Sequence, residues 1–368
     1  MPNSDVLPGR SSDNTAESTQ TRAAADNLDS VRLPLPEARE AGTARSAQDN
    51  AAKAPDDSVI SPKEAALVPD LTIVEPGKTI REKTKLDGQD RQYFLHLPKD
   101  YDPSRSYPLV LVYNGWGNHT GQGGVPGGAE GMEKTTGMSE RADKDGFIVA
   151  YMDGTPRDQH SWNNGEWYFS KENDVKYTTQ TMDAISQNAN VDQSRIYLAG
   201  YSQGGSFAHR AATELSDRIA AVATVGGWLT GLEKPPSESV SVLEIHAGKD
   251  PTVPYDGRVM WCTMKPHEYL KDFYLKADKM PSEHETTIET TATGFQAITE
   301  DWKNPTTGAE VKMISLPEVN KHEYYGGFGA TVNPVDTTDQ FLSFFKNHQR
   351  QSTDHSAVPQ VHSANPGQ

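Results

Sequence analysis

A short apolar run, Ile196 to Ala199, leads directly into Gly200-Tyr201-Ser202-Gln203-Gly204 and then into a helix-like stretch. A serine on a tight strand-to-helix turn needs backbone angles that crowd its neighbours. Glycine two residues before it and two residues after it lets the backbone pass without a Cβ clash. Such a turn lifts the Ser202 hydroxyl out of the sheet, and it points the backbone N–H of Gln203 towards the same place. The pattern therefore predicts a sheet covered by helices, with Ser202 as an exposed nucleophile.

A serine hydroxyl is a weak nucleophile near neutral pH, so it needs a histidine base and an acid that orients the histidine. Asp250 is the acid candidate, because it lies in a glycine-containing turn after the apolar run 242–246. An ordinary Asp-Pro turn is the structural alternative, and Asp256 is the next acid candidate. His322 is the base candidate, since it follows a strand-like run by a short loop, although a surface-loop histidine has the same local pattern. The later histidines that fit less well are His267, His284, His348, His355 and His362.

Further motifs surround these residues: Arg91-Gln-Tyr-Phe-Leu-His-Leu-Pro98, Tyr107-Pro-Leu-Val-Leu-Val-Tyr113 followed by Asn114-Gly115, Ser161-Trp162-Asn163, and His-x-Gly-x-Asp-x-x-Val-Pro-Tyr around Asp250. Over about residues 90–345 the chain resembles the polyhydroxybutyrate depolymerase and feruloyl esterase branch of the α/β-hydrolase superfamily. The resemblance implies an α/β-hydrolase fold, with a mostly parallel central sheet and helices on both faces. It also implies Ser202 as nucleophile, Asp250 as orienting acid and His322 as general base, with the backbone N–H groups of Gln203 and Trp116 forming an oxyanion hole.

Two features depart from that family. The chain has Asn114-Gly115 where relatives usually carry His-Gly, which changes how the oxyanion loop is braced. Cys262 is the single cysteine of the sequence, so no intrachain disulfide can form. Trp162 and Tyr201 are predicted to bind substrate. Trp162 also belongs to a group of aromatic residues expected near the site, with Trp116, Trp167 and Tyr168, and structural packing is an equal alternative for each of the four.

Composition divides the chain of 368 residues into three parts. No Phe, Trp or Tyr precedes Tyr93, and the first seventy residues are dominated by small and polar types. Such a segment buries too little apolar surface to offset its conformational entropy, so residues 1–70 and 350–368 are predicted to be disordered. The esterase domain is predicted over 71–349. Strands are expected at 79–86, 91–97, 108–113, 148–151, 219–225, 242–246 and 311–316, and helices at 132–143, 175–187, 204–215, 264–276 and 337–348, with a hairpin turn at Asp87-Gly88.

The formal net charge of −16 argues against nucleic acid and anionic membranes as partners. No apolar run reaches the roughly 18 residues of a membrane span, and no basic stretch with an apolar core marks a signal peptide, which leaves the cellular location and export route open. The glycine-rich stretch 121–131 lacks the Gly-Lys-Ser/Thr ending of a phosphate loop, and we interpret it as a mobile loop beside the site. His322-Glu323 has no second histidine at zinc-protease spacing. No metal and no cofactor are expected.

These observations predict a serine carboxylic-ester hydrolase that works through an acyl-enzyme on a small-molecule or polymeric ester. Feruloyl, acetyl-carbohydrate, hydroxyalkanoate and small aryl esters all remain candidates. Acyl transfer or peptide hydrolysis by the same three residues is one alternative, because a fold does not fix a function. A catalytically silent binding module that kept the fold is the other.

Overall fold

A ten-stranded sheet forms the centre of the part of the chain that the computed structural model describes, which is residues 75–117, 122–155, 159–166, 169–259 and 262–351. The segments predicted to be disordered lie outside these residues, apart from Arg350 and Gln351, and the predicted domain limits stay a prediction. In chain order the strands are β1 (Thr79–Leu86), β2 (Gln89–His96), β3 (Tyr107–Tyr113), β4 (Ile148–Met152), β5 (Val191–Tyr201), β6 (Ala221–Val225), β7 (Ser241–Ala247), β8 (Arg258–Val259), β9 (Thr263–Met264), β10 (Glu285–Thr290), β11 (Gln296–Lys303) and β12 (Glu310–Leu316).

The sheet has the strand order β1-β2-β4-β3-β5-β6-β7-β12-β11-β10, and β8 and β9 form a separate ribbon. The six strands from β4 to β12 in this order pair in parallel, while both flanks are antiparallel. The central strands are apolar almost throughout, as is usual for strands covered on both faces. Their carboxyl ends share one edge, which is where such sheets place ligands.

Helices cover both faces of the sheet. They are α1 (Gly128–Thr136), α2 (Met138–Asp145), α3 (Asp174–Asn188), α4 (Gln203–Glu214), α5 (His267–Ala277) and α6 (Thr337–Lys346). Apolar residues of α3, α4 and α5 pack in one buried cluster with alternate strand residues, and those of α1, α2 and α6 pack in a second cluster with the other alternate residues. The expected α/β architecture is therefore confirmed. No helix in the described ranges is long and apolar enough to cross a membrane.

The β1–β2 hairpin matches the sequence prediction. Leu86 pairs with Gln89, so Asp87 and Gly88 form a two-residue loop. Both loop residues have positive φ, 49° and 82°. This is the arrangement that favours Asp-Gly in a tight hairpin, because its twist matches that of the strands.

Several elements differ from their predictions. The single helix expected at 132–143 is two helices, because Gly137 has a φ of 59° and ends α1. Part of the glycine-rich stretch is helical, since α1 begins at Gly128, so the loop interpretation is wrong for residues 128–131. Strands β8 to β11 were not predicted, and Met264, expected to begin a helix, lies in β9. All six residues of β10 are exposed, so the strand lacks the alternation of apolar and polar residues that marks a strand in sequence.

Candidate active site

Ser202 occupies the turn between β5 and α4. Its φ and ψ of 55° and −125° lie in a region that non-glycine residues rarely adopt. The Ser202 N–H donates to the carbonyl of Val225 at 2.9 Å, which fixes the turn against the neighbouring strand β6. A Cβ on Gly204 would lie 2.3 Å from the carbonyl oxygen of Asn114, and one on Gly200 would lie 2.6 Å from Cα of Gly205. Both flanking glycines are therefore required by close backbone contacts, as the sequence pattern predicted.

His322 lies between Ser202 and Asp250. Its Nε2 is 2.7 Å from Ser202 Oγ, and its Nδ1 is 2.6 Å from Asp250 Oδ2. The three residues follow three strands, β5, β7 and β12, whose carboxyl ends meet at one edge of the sheet. Residues separated by up to 120 positions thus form one hydrogen-bonded chain. This order of groups allows a proton to pass from the serine hydroxyl to the imidazole.

Asp250 is held rigidly below the imidazole. Its Oδ1 accepts the N–H groups of Thr252 at 2.7 Å and of Val253 at 2.8 Å, which leaves Oδ2 for His322. Burial raises the pKa of Asp250, but the hydrogen bond and the charge of His322 outweigh burial and hold the pKa below its usual value. Asp250 is therefore a carboxylate at neutral pH. The alternative acid, Asp256, is exposed.

The other histidines considered in the sequence lie elsewhere. His267 is buried beside His246, His284 stacks on Trp302 with ring centroids 4.3 Å apart, and His348 donates from Nδ1 to the Phe344 carbonyl at 2.7 Å. His355 and His362 fall outside the described residues. Among the histidines that the structure describes, His322 is the one with a ring nitrogen bonded to Ser202.

Gln203 is the first residue of α4, so its backbone N–H has no acceptor within the helix. The Gln203 side chain makes two hydrogen bonds to the backbone of Trp162: Oε1 accepts the Trp162 N–H at 3.0 Å, and Nε2 donates to the Trp162 carbonyl at 2.5 Å.

Asn114 occupies the position where the resembling family usually carries histidine, and it braces the oxyanion loop by its own hydrogen bonds. Its Nδ2 donates to the His160 carbonyl at 2.8 Å and its Oδ1 accepts the Gly154 N–H at 3.1 Å, so the asparagine braces the loop that carries Trp116.

The structure corrects the prediction that Trp162 binds substrate. Its side chain is fully buried, with the indole stacked on Phe207 at 5.1 Å between centroids, and it does not line the cavity described below. The indole N–H donates to the carbonyl of Asn114 at 2.9 Å. Trp162 therefore connects the loop of Asn114 to the start of α4. The sequence shows that an aromatic residue lies near the site, but it does not show the direction in which the side chain points.

Tyr201, the other predicted substrate-binding residue, lines the cavity. Its ring stacks on His322 with centroids 5.3 Å apart, and its hydroxyl donates to the His322 carbonyl at 2.9 Å. Burial raises the pKa of the Tyr201 hydroxyl, which keeps the proton needed for this bond. Whether Tyr201 also contacts substrate stays a prediction, and its observed contacts position His322.

A cavity of about 290 Å³ opens beside Ser202 and His322. Its walls are mainly apolar and aromatic, and the large side chains among them are Trp116, Met132, Phe169, Trp228, Val253 and Met264. Trp116 is 42% exposed and packs edge-on against Phe169, with centroids 6.1 Å apart. The predicted aromatic residues Trp167 and Tyr168 lie outside the described residues. The cavity can hold a small apolar group next to the serine.

Sequence reasoning missed a group of buried polar residues behind the site. Glu244 and His246 lie on β7, where they are 0% and 2% exposed. Glu244 Oε1 accepts the Gly227 N–H at 3.0 Å, and His246 Nε2 donates to the Val253 carbonyl at 2.9 Å. A glutamate inside the apolar strand Ser241–Ala247 was the available signal, because an unpaired charge is rarely buried.

Comparison with known proteins relates part of the chain to a known family. The model of the phospholipase/carboxylesterase family matches residues 163–300, which include β5, the turn at Ser202 and the Asp250 turn. The chain has the α/β-hydrolase fold. It is 31% identical over 191 residues to NocK of Nocardia uniformis subsp. tsuyamanensis, whose name relates it to esterases, covering 50% of this chain and 52% of that protein. It is 30% identical over 174 residues to feruloyl esterase B of Piromyces equi, covering 45% of this chain and 30% of that protein.

The α/β-hydrolase chain thus spans about half the length of NocK and less than a third of the Piromyces protein. A solved acetyl xylan esterase from Aspergillus awamori superposes with a TM-score of 0.49 and 13% identity, covering 73% of this chain and 99% of that chain. The strand order and the partial family match are those of the α/β-hydrolase fold.

Proposed function

We propose that the protein is a serine hydrolase of carboxylic esters that works through an acyl-enzyme. The observation that supports this most directly is the position of His322, with one ring nitrogen 2.7 Å from Ser202 Oγ and the other 2.6 Å from Asp250. The relatives named as esterases point the same way.

In this mechanism His322 Nε2 accepts the Ser202 proton as Oγ attacks the ester carbonyl carbon. The carboxylate of Asp250 keeps the Nδ1–H directed towards itself and stabilises the positive charge that forms on the ring. His322 then returns the proton to the departing alcohol oxygen, which leaves an ester of Ser202. A water molecule deprotonated by His322 attacks that ester, and the acid product leaves with the serine restored.

The negative charge on the carbonyl oxygen needs donors that are in place before the reaction. The backbone N–H of Gln203 is one, at the positive end of α4. The N–H of Trp116 is the second, on the loop braced by Asn114. Trp162 links the two, because its backbone is bonded to the Gln203 side chain and its indole to the Asn114 carbonyl. Donors of this kind typically contribute about 3 to 4 kcal/mol each to the transition state.

We further propose that the acyl group is small and carries one aromatic ring. The cavity of about 290 Å³ is large enough for one ring with a short linker, and its walls include Trp116, Phe169 and Trp228. Aromatic walls favour an aromatic guest through offset and edge-on contacts. Relatives named as feruloyl esterases are consistent with this choice, and the aromatic walls favour it over an acetyl group.

The test is labelling of purified protein with a fluorophosphonate probe, followed by hydrolysis of methyl ferulate, methyl acetate and methyl 3-hydroxybutyrate. Wild type should be labelled at one serine, and Ser202→Ala and His322→Ala should not be labelled although they keep wild-type circular dichroism. His284→Ala is the matched control, since that exposed histidine should not affect labelling. A folded wild type that is not labelled would favour the silent binding module. Labelling without preference for the ferulate ester would refute the substrate assignment alone.

A further inference from the structure

Three metal-binding side chains converge behind the candidate active site. Glu244 and His246 project from the same face of β7, and His267 is the first residue of α5. One donor atom from each lies within 4.8 Å of the other two. The side chains are 0%, 2% and 5% exposed, and none of them lines the cavity at Ser202. This buried cluster has no part in the mechanism above.

The hydrogen bonds of His246 define what its second nitrogen can do. Nε2 lies 2.9 Å from the Val253 carbonyl, and a carbonyl only accepts, so Nε2 carries a proton. Nδ1 faces Glu244 Oε1 at 3.2 Å. In a neutral imidazole Nδ1 would be a lone pair facing a carboxylate oxygen, which is repulsive. A proton, carried by the ring or by the carboxyl group, or a metal ion must therefore lie between these two atoms.

His267 distinguishes the two possibilities. Both of its ring nitrogens are buried and have no hydrogen-bond partner among the described residues. A buried polar group without a partner typically costs about 1 to 3 kcal/mol. A proton shared by Glu244 and His246 leaves both ring nitrogens of His267 without a partner. A metal ion at the same place gains a third ligand from His267 and removes one of the two unpartnered nitrogens.

The distances fit a tetrahedral zinc ion. With metal–ligand bonds of about 2.1 Å, neighbouring ligand atoms lie about 3.4 Å apart and the centroids of two bound imidazoles about 5 Å apart. Glu244 Oε1 and His246 Nδ1 are 3.2 Å apart, and the rings of His246 and His267 have centroids 5.0 Å apart. Two of the three donors also have the outer partners that metal ligands usually have. His246 donates to Val253, and Glu244 accepts from Gly227 and from the Thr224 hydroxyl.

We propose that Glu244, His246 and His267 bind one divalent transition-metal ion, zinc in the first instance, with water as the fourth ligand. Two imidazoles and one carboxylate are a ligand set that zinc accepts, whereas calcium and magnesium prefer oxygen atoms alone. The site is structural, because it is closed off from the cavity. It joins β7 to the start of α5 and, through His246 and Val253, supports the turn of Asp250. The proposal differs from the expectation from sequence that the chain binds no metal.

The experiment uses full-length protein from which any affinity tag has been cleaved, treated with a chelator and then exchanged into metal-free buffer. Zinc is titrated against a chromophoric competitor, and bound zinc is measured by elemental analysis. We expect about one zinc per chain, a higher melting temperature with zinc, and visible absorption bands typical of tetrahedral coordination when cobalt replaces zinc. Retention of less than a tenth of an equivalent of zinc at ten micromolar free metal would overturn the proposal.

Variants separate this site from adventitious binding by other histidines. His267→Phe keeps an aromatic ring against Tyr255 but removes the ligand, and it should weaken zinc binding at least about 100-fold and abolish the cobalt bands. Glu244→Gln should also lose zinc, which provides a second test if the first variant folds poorly. His284→Ala removes the exposed histidine near Glu300 and should bind zinc as wild type does. Wild-type zinc affinity in folded His267→Phe or Glu244→Gln would refute the site.

Discussion

Replacing Asp250 by asparagine tests the proposed mechanism with little structural disturbance. Asp250 uses Oδ1 for the N–H groups of Thr252 and Val253 and Oδ2 for His322. An asparagine oxygen can keep both backbone bonds, so the turn should remain folded. Its amide nitrogen then replaces Oδ2, 2.6 Å from His322 Nδ1, and it donates where the carboxylate accepted. The proton of the imidazole is thereby forced onto Nε2, the atom that must accept the proton of Ser202.

The expected loss is large because the tautomer and the charge change together. Asp250 has a side chain 1% exposed, so solvent cannot replace the carboxylate. An acid-to-amide change in such an arrangement lowers kcat by about 10⁴-fold, which is about 5.4 kcal/mol at about 1.36 kcal/mol per tenfold. KM should change by no more than about threefold, since Asp250 does not line the cavity.

Steady-state hydrolysis of methyl ferulate measures the loss, with circular dichroism and thermal melting as the check on folding. Asp256→Asn is the matched control, because this exposed aspartate lies six residues further along the same turn. We expect wild-type kinetics for the control. A folded Asp250→Asn protein that loses less than tenfold in kcat would refute the assignment of Asp250, and a loss in Asp256→Asn of the same size would transfer the role to Asp256.

Three further predictions concern buried groups. Trp162→Phe keeps the stacked ring but removes the indole hydrogen bond to the Asn114 carbonyl. We expect kcat to fall about tenfold with KM nearly unchanged, and the free energy of unfolding to fall by about 1 to 3 kcal/mol. An unchanged kcat in a destabilised variant would show that Trp162 has a structural role only. Burial raises the pKa of Asp278 to about 7. Between about pH 4 and 7 the folded protein therefore binds more protons than the unfolded chain. The stability that the neutral acid contributes is lost as the pH rises through this range. Urea unfolding should therefore show Asp278→Asn gaining on wild type by about 2 to 3 kcal/mol from pH 5 to 8, and an equal difference at both pH values would contradict the assignment. Burial raises the pKa of the Cys262 thiol to about 12, so Ellman's reagent should react with native protein at least about 100-fold more slowly than with protein in guanidinium, and rapid reaction in the native state would show that the thiol is accessible.

The sequence was informative wherever a local pattern has one physical solution. Glycine is needed on both sides of Ser202, because the start of α4 lies against Gly200 and Gly204 lies against the carbonyl of Asn114. The Asp87-Gly88 turn needs two positive φ angles. The positions of Asp250 and His322 were predictable because each follows a strand whose carboxyl end belongs to the shared edge of the sheet. The structure brings them together with Ser202, and their catalytic roles stay predictions until the variants above are measured.

Features that depend on side-chain direction or on distant contacts were not predictable in this way. Trp162 was assigned to the cavity because its motif is near the site, but its indole points into the core to reach the Asn114 carbonyl. Strand β10 has no apolar pattern of its own and depends on pairing with β11. The approach of His267 to β7 joins two elements through the fold alone, and no spacing of histidines in the sequence indicates it.

The same close contacts that strain the serine also place the groups proposed to stabilise the transition state. Gly204 lets the first turn of α4 lie against the carbonyl of Asn114, and that contact sets the distance between the Gln203 N–H and the loop of Trp116. A larger residue at 204 would separate the helix from the loop and would relax the backbone of Ser202 at the same time. Nucleophile geometry and oxyanion geometry are therefore not independent in this fold. Trp162 forms hydrogen bonds on both sides of that contact. Its substitution should therefore weaken the stabilisation of the charge that develops on the substrate more than it lowers the rate at which Ser202 reacts with a fluorophosphonate.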